Sequence, residues 1–218
     1  MRMYMCIDLK TFFASVECVE RNLDPFSTNL VVADESRGDG SICLAVSPKM
    51  KMLGVKNRCR LFEIPKNIDY IIAKPRMNKY IEYAANIYAI YLKYIDKEDI
   101  HVYSIDEAFL DVSSYLKLYK MDSLSLAQMI LKDIFDSYKL TATCGIGTNL
   151  YLAKIALDIL SKHSVTNIAF LDEQKYIKEL WYHRPLTDFW QIGKGIEKRL
   201  NKLNIYDMHD IANSNFKK

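Results

Sequence analysis

Apolar and polar positions along the chain divide it into short, well-punctuated elements. Met3–Leu9 (MYMCIDL) is an apolar run of strand length that ends on a carboxylate. Thr11 is placed to cap a helix over FFASVECVER, with Phe12, Val16 and Val19 on one face. Leu30–Asp34 and Ile42–Val46 read as two strands of a hairpin around the turn ESRGDGS. Ser47-Pro48 then opens a short helix that Gly54 closes, since proline is tolerated in a first turn and glycine accepts the left-handed stop. Asp69–Ala73 is a further strand, and Pro75 separates it from a long helix over about 76–95 with Tyr, Ile and Ala at helical spacing. His101–Ile105 and Ala108–Val112 form a second hairpin around Asp106-Glu107. A helix over about 124–137, a strand at Ala142–Ile146 and a helix from Asn149 to about Lys162 follow. Past residue 165 the pattern predicts helix, punctuated by Pro185 and the Gly193/Gly195 pair. The order is that of an α+β, ferredoxin-like βαββαβ unit with a subdomain inserted after its first strand.

Composition narrows the class without naming a function. The chain has 218 residues, 50% hydrophobic and 26% charged, which excludes disordered and collagen-like readings and allows one or two domains with real cores. With no run of about 18 apolar residues, no membrane span is expected. MRMYMCIDLK lacks the pattern of a signal peptide. The net charge of +3 is compatible with nucleic acid and too small to argue for it. Its distribution says more: Gly40–Phe62 has no acidic residue but carries Lys49, Lys51, Lys56, Arg58 and Arg60. On charge alone that segment is a solvated basic face. Five cysteines, odd in number and without CxxC spacing, point to a reduced, cytoplasmic protein with no zinc site. The seven glycines are few, so each is expected where the backbone needs positive φ or a close approach.

Two carboxylate sites stand out by position. Asp8 ends the first strand, and Asp106-Glu107 lies between two apolar strand halves in YSIDEAFLDV. Buried carboxylates require partners, hydrogen bonds or a cation. Either site alone fits a cap or a solvated turn. If the two strands are neighbours, as the βαββαβ order requires, the three groups converge at one end of the sheet. Hard oxygen ligands gathered there suit Mg²⁺, and two such ions about 3.5–4 Å apart serve phosphoryl or nucleotidyl transfer.

These residues also carry a resemblance. IDLKTFFASVE (7–17) and YSIDEAF (103–109) resemble the Y-family, translesion DNA polymerases, particularly the UmuC-like branch of SOS polymerases. LGVKN (53–57), RLFEIP (60–65), CGIGTNLYLAKIA (144–156) and PLTDFWQIGKGIEKRL (185–200) extend the similarity over essentially the whole chain. The resemblance implies a palm from 1–10 and 76–165, fingers at 11–75 and a thumb at 166–218. It implies that Asp8, Asp106 and Glu107 hold two Mg²⁺ ions, helped by the Leu9 carbonyl, and that Phe13 is a steric gate against a 2′-hydroxyl. Without the resemblance, Phe13 reads as a core aromatic. Phe12 would pack near the same sugar or into the core. Lys154 would contact the triphosphate, and Lys51 would supply the fingers' phosphate contact. Many relatives have arginine at the place of Lys51 and tyrosine at that of Pro48, so a bidentate guanidinium contact is missing from that position. Ser47 or amides at that helix start would substitute. Gly193, Lys194, Gly195, Lys198 and Arg199 would form a helix-hairpin-helix grip on the DNA backbone. By itself a GxG between helices reads as a plain cap.

The implied partners are primer-template DNA and a dNTP, with a sliding clamp reached through a C-terminal region beyond this chain. The family carries a little-finger domain after the thumb, and the chain stops at Phe216-Lys217-Lys218. It is therefore expected to be a catalytic core, as a fragment or a shortened natural product. Two other readings stay open: a weakly active or non-catalytic DNA-binding fragment, and a palm-type nucleotidyl cyclase.

Overall fold

The computed structural model describes residues 2–214; the terminal Phe216-Lys217-Lys218 therefore lies outside the described residues. The main sheet is built from β1 (Tyr4–Leu9), β5 (Ile100–Val102), β6 (Glu107–Asp111), β7 (Ala142–Gly147) and β8 (Ile168–Leu171) in the order β5-β6-β1-β7-β8. β1 runs antiparallel to both β6 and β7, and β5 antiparallel to β6. With the crossover helices α3 (Met77–Tyr91) and α5 (Ser123–Tyr138), the first four of these strands in sequence complete the expected βαββαβ arrangement. One apolar core, including Ile7, Tyr80, Leu110, Ile130 and Ile146, joins helices and sheet.

The insertion contains α1 (Phe12–Val19), β2 (Leu30–Val32), β3 (Ala45–Val46), α2 (Pro48–Met52) and β4 (Ile71–Ala73). β2 pairs antiparallel with β3 and parallel with β4 around a small core of Val31, Cys43, Val46 and Met50. Both hairpin strands are shorter than their hydrophobic runs. Asp34 caps a 3₁₀ turn at Glu35–Arg37, and Ile42 makes only an isolated bridge to Arg60. Gly54, at φ 86°, closes α2 as expected. Thr11 precedes α1 in the left-handed region (φ 48°), and its hydroxyl meets Ser15 Oγ at 2.9 Å instead of capping the helix amides.

The C-terminal part departs from expectation most. β8 pairs parallel with β7, so the chain beyond 165 is not helical throughout and first widens the main sheet. α7 (Glu173–Leu180), α8 (Lys194–Asn201) and α9 (Met208–Asn213) then pack around Leu180, Leu186 and Phe189. The short α4 (Tyr115–Tyr119) was not legible in the pattern. The long helix after Asn149 changes winding: α6 (Leu150–Ile155) passes into a π-helical stretch at Ala156–Leu160 and a 3₁₀ turn at Ser161–His163.

Gly145 and Gly147 lie on β7 beneath α6. A Cβ on Gly145 would stand 2.1 Å from the Ala153 carbonyl oxygen, and one on Gly147 would stand 2.2 Å from the Ala153 nitrogen. Their absence of a side chain lets the helix sit directly on the strand. All five cysteines are free. Among the described residues no helix is long and apolar enough to cross a membrane.

Candidate active site

A cleft of about 790 Å³ opens at the end of β1, between the main sheet and the insertion. Its lining includes Asp8, Lys10, Phe13, Leu44, Arg58 and Asp106. Lys51, Thr143 and Lys162 also border it. Asp8 and Glu107 are cross-strand partners on β1 and β6, while Asp106 occupies the loop just before β6. The Leu9 amide donates to the Asp106 carbonyl at 2.9 Å, which locks that loop to β1.

The three carboxylates have different surroundings. No described donor reaches the Asp8 carboxylate, and burial followed by the charges of Asp106 and Glu107 pushes its pKa up to about 7. Asp106 accepts a hydrogen bond from Ser104 Oγ at 2.7 Å. Glu107, on the same sheet face as Asp8, is held by Lys154 Nζ at 2.9 Å and accepts from Cys6 Sγ at 3.2 Å. The carboxylate oxygens of the three are consequently not all within 4.8 Å of one another. A divalent cation nevertheless fits this donor set: a half-buried carboxylate without a donor beside a second carboxylate favours a positive charge between them. Asp207, His209 and Asp210 do lie within that span. They are otherwise engaged: Asp207 caps α9 and binds Arg184 Nη2 at 2.6 Å, and Asp210 accepts from the Tyr206 amide.

Phe13 borders the cleft, with its ring stacked on Tyr80 at 4.4 Å and 15°. Phe12 is buried in the main core. Tyr80 is fully buried and donates to Glu17 at 2.8 Å. Arg76 forks onto the same carboxylate with two bonds of 2.9 Å, and Arg21 also binds it. Burial opposes ionisation of Glu17, but these hydrogen bonds from Arg76, Arg21 and Tyr80 hold its pKa below the usual carboxylate value. The ring facing the cleft thus rests on a rigid layer of Tyr80, Glu17 and two arginines, none of which the sequence pattern had singled out.

The cationic residues redistribute the expected roles. Lys154 is buried, not among the cleft residues, and committed to Glu107 and to Asp158 at 3.1 Å. Burial opposes its charge, yet its bond to Glu107 and the charge of Asp158 raise its pKa. Lys162, which the sequence reading missed, borders the cleft. The π-helical stretch lies between the two lysines, and its Asp158 is 3.1 Å from Lys154 and 3.7 Å from Lys162. Lys51 borders the same end. Partial burial of its stem and the neighbouring Lys162 lower its pKa, against the pull of Asp8. Ser47 is fully buried: its hydroxyl donates to the Thr28 carbonyl at 2.6 Å and accepts from the Leu30 and Met50 amides. It caps α2, and these bonds leave its buried hydroxyl no part in the cleft.

Gly193, Lys194, Gly195, Lys198 and Arg199 share the start and exposed face of α8. The left-handed residue of that turn is Gln191 (φ 69°), while neither glycine has positive φ. Apart from the adjoining chain, no atom of the described residues lies within 4 Å of where a Cβ on either glycine would be, so no other part of the protein covers the turn there. Among the described residues Lys194, Lys198 and Arg199 form no ion pair.

Comparison with known proteins converges on one lineage. Residues 7–158 match the impB/mucB/samB family. UvrX of Bacillus subtilis (strain 168), named for UV-damage repair, is 35% identical over 95% of this chain and 49% of its own. DNA polymerase IV 2 of the same organism is 31% identical over 94% of this chain and 49% of its own. The chain thus spans about half the length of these curated relatives. Among solved structures, the insertion ternary complex of Dbh DNA polymerase superposes with a TM-score of 0.82 at 26% identity, covering 98% of this chain and 61% of that one. DinB from Sulfolobus solfataricus gives 0.78 at 27%, with 98% and 60% covered. The chain therefore belongs to the impB/mucB/samB family, the Y-family polymerase lineage that its motifs resemble.

Proposed function

We propose that the cleft catalyses template-directed nucleotidyl transfer, adding a deoxynucleotide to a primer 3′-OH and releasing pyrophosphate. In this reading the main sheet with α3 and α5 is the palm, the insertion is the fingers, and the helices after β8 are the thumb. The observation that carries it is the Asp8 carboxylate, half-buried and without a donor, facing Asp106 at one end of a cleft bordered by Lys10, Lys51 and Lys162. Asp8, Asp106 and Glu107 would hold two Mg²⁺ ions, which when bound activate the 3′-OH and neutralise charge on the leaving phosphate. Lys162 and Lys51 place positive charge where a triphosphate would develop negative charge. Lys154 would hold Glu107 in place beside Asp8. Kinship with the repair proteins supports translesion synthesis, and a role in the SOS response is proposed with it.

The open amides and three unpaired cations of α8 support a sequence-independent hold on a DNA backbone. A nucleotidyl cyclase has no use for that surface. Pyrophosphate release from dNTPs in the presence and absence of primer-template separates the two: release should require the nucleic acid, and release from nucleotide alone would favour the cyclase. Firm DNA binding with no release would favour the non-catalytic fragment.

Phe13 is proposed to exclude the 2′-hydroxyl, because its stack on Tyr80 leaves the ring no room to retreat. Phe13→Ala should raise ribonucleotide incorporation relative to deoxynucleotide by about 100-fold, the size of a steric clash worth about 3 kcal/mol. Competitive incorporation of dNTP and rNTP measures it, and an unchanged ratio would rule out the gate.

A further inference from the structure

Two of the five cysteines stand opposite each other in the insertion. The Cys43 amide donates to the Cys59 carbonyl at 2.8 Å, and the Arg58 amide donates to the Cys43 carbonyl at 3.0 Å. Ile42 and Arg60 continue the pairing as an antiparallel bridge, so the backbone is fixed on both sides of the pair. Opposed residues of antiparallel strands have Cα atoms about 4.5–5.5 Å apart. That separation lies inside the range of about 4.4–6.8 Å that a disulfide spans. Both side chains belong to the small core of the insertion, where Cys43 is buried and Cys59 packs against it. The thiols also act on each other: burial, followed by the charge and hydrogen bonding of Cys59, pushes the Cys43 thiol up to about 12.

The other three cysteines offer no second pair. Cys6 and Cys144 lie on the neighbouring strands β1 and β7, but Cys6 is opposite Gly145, one position out of register with Cys144. Their side chains enter different cores on the two faces of the sheet. Cys18 is buried in α1. Cys59 is the one cysteine that is not buried, and it lines a surface cavity of about 430 Å³ with Lys56, Asn57 and Arg58. A small polar oxidant therefore meets Cys59 first, with the Cys43 thiol beside it. Exposed thiols react before buried ones, and a second thiol in reach decides whether the product is a disulfide.

We infer that Cys43 and Cys59 form a modification site, a dithiol that a peroxide converts into a disulfide. The Cys59 sulfur attacks one peroxide oxygen, the O–O bond breaks, and one water leaves with Cys59 as its sulfenic acid. The Cys43 sulfur then attacks the Cys59 sulfur, the S–O bond breaks, and the sulfenic hydroxyl takes the Cys43 proton to leave as a second water. The two thiols give up two electrons and the peroxide accepts them; an added dithiol returns both by exchange. The new bond closes the segment from 43 to 59, which carries β3 and the helix of Lys51. The inference does not depend on the reaction assigned to the cleft.

The test treats the folded chain with hydrogen peroxide at a dose that oxidises half of an added glutathione control. Thiols are then counted after denaturation, cross-linked peptides are mapped by mass spectrometry, and dimedone traps any sulfenic acid. Wild type should fall from five free thiols to three, with Cys43 joined to Cys59, and dithiothreitol should restore all five. Cys43→Ser should carry at least about tenfold more dimedone on Cys59 than wild type, because a neighbouring thiol outcompetes an added reagent. Cys59→Ser should keep its four thiols, since Cys43 is buried. The wild-type cross-link is read without any substitution, so the result does not hinge on how either variant folds. Five thiols surviving the treatment, or a cross-link between any other pair, would overturn the inference. Equal dimedone labelling of Cys59 in wild type and in Cys43→Ser would overturn it as well, because Cys43 would then not reach the sulfenic acid.

Discussion

Asp8→Asn should lower turnover at least about a thousandfold while making the metal-free protein more stable, because this side chain is suited to a bound cation at the expense of the fold. Its carboxyl is half-buried, has no donor, and stands beside two like charges. The folded-state pKa of about 7 lies above the unfolded value near 3.8, so the folded protein keeps a proton that the unfolded chain releases. Stability from this group is complete below pH 4 and is lost as pH rises through 7. In chelator at pH 8, Asp8→Asn should therefore exceed wild type by roughly 2–4 kcal/mol, and the gap should close near pH 4. Adding Mg²⁺ should stabilise wild type and leave the variant unmoved. Denaturant melts at the two pH values, with and without metal, check this. A variant less stable than wild type at pH 8 would contradict it.

Lys154→Met should have the largest effect on folding. Lys154 and Glu107 have side chains only 9% and 10% exposed and lie 2.9 Å apart, so removing the cation leaves a buried carboxylate with no opposite charge. The expected loss is about 3–5 kcal/mol, visible as a lower midpoint in urea. Adding Glu107→Gln removes the orphaned charge and should restore at least about half of that loss by the same reasoning. Turnover should fall in Lys154→Met even at temperatures where it is folded, since Glu107 is then free to leave its place beside β1. A single variant within about 1 kcal/mol of wild type would show that the pair contributes little.

These two residues illustrate what the sequence makes legible. The adjacency of Asp8 and Glu107 was readable because βαββαβ order places β1 beside β6, and both runs announce themselves as apolar strands flanking carboxylates. Asp106 and Glu107 looked equivalent in a turn, yet Glu107 is the first residue of β6 and faces Lys154, a difference set by strand pleat and register. The pairing of Lys154 with Glu107 and Asp158 joins β6 to the segment after β7, a contact that helical spacing alone does not announce. Ser47 was readable as a cap, and its three hydrogen bonds leave nothing for a phosphate. β8 escaped notice because Ile168–Leu171 is four residues long and depends on pairing with β7, a contact no local pattern encodes. Likewise, the support of Phe13 by Tyr80 and Glu17 joins residues more than sixty positions apart.

The most direct test of the central reading is templated extension by the 218-residue chain at saturating primer-template, with the next template base varied through all four identities. The nucleotide added should be the complement of that base in each case, with Asp106→Ala binding the same DNA but adding none. No addition under saturation, addition of one nucleotide whatever the template, or equal addition by Asp106→Ala would contradict the assignment of this cleft to templated nucleotidyl transfer.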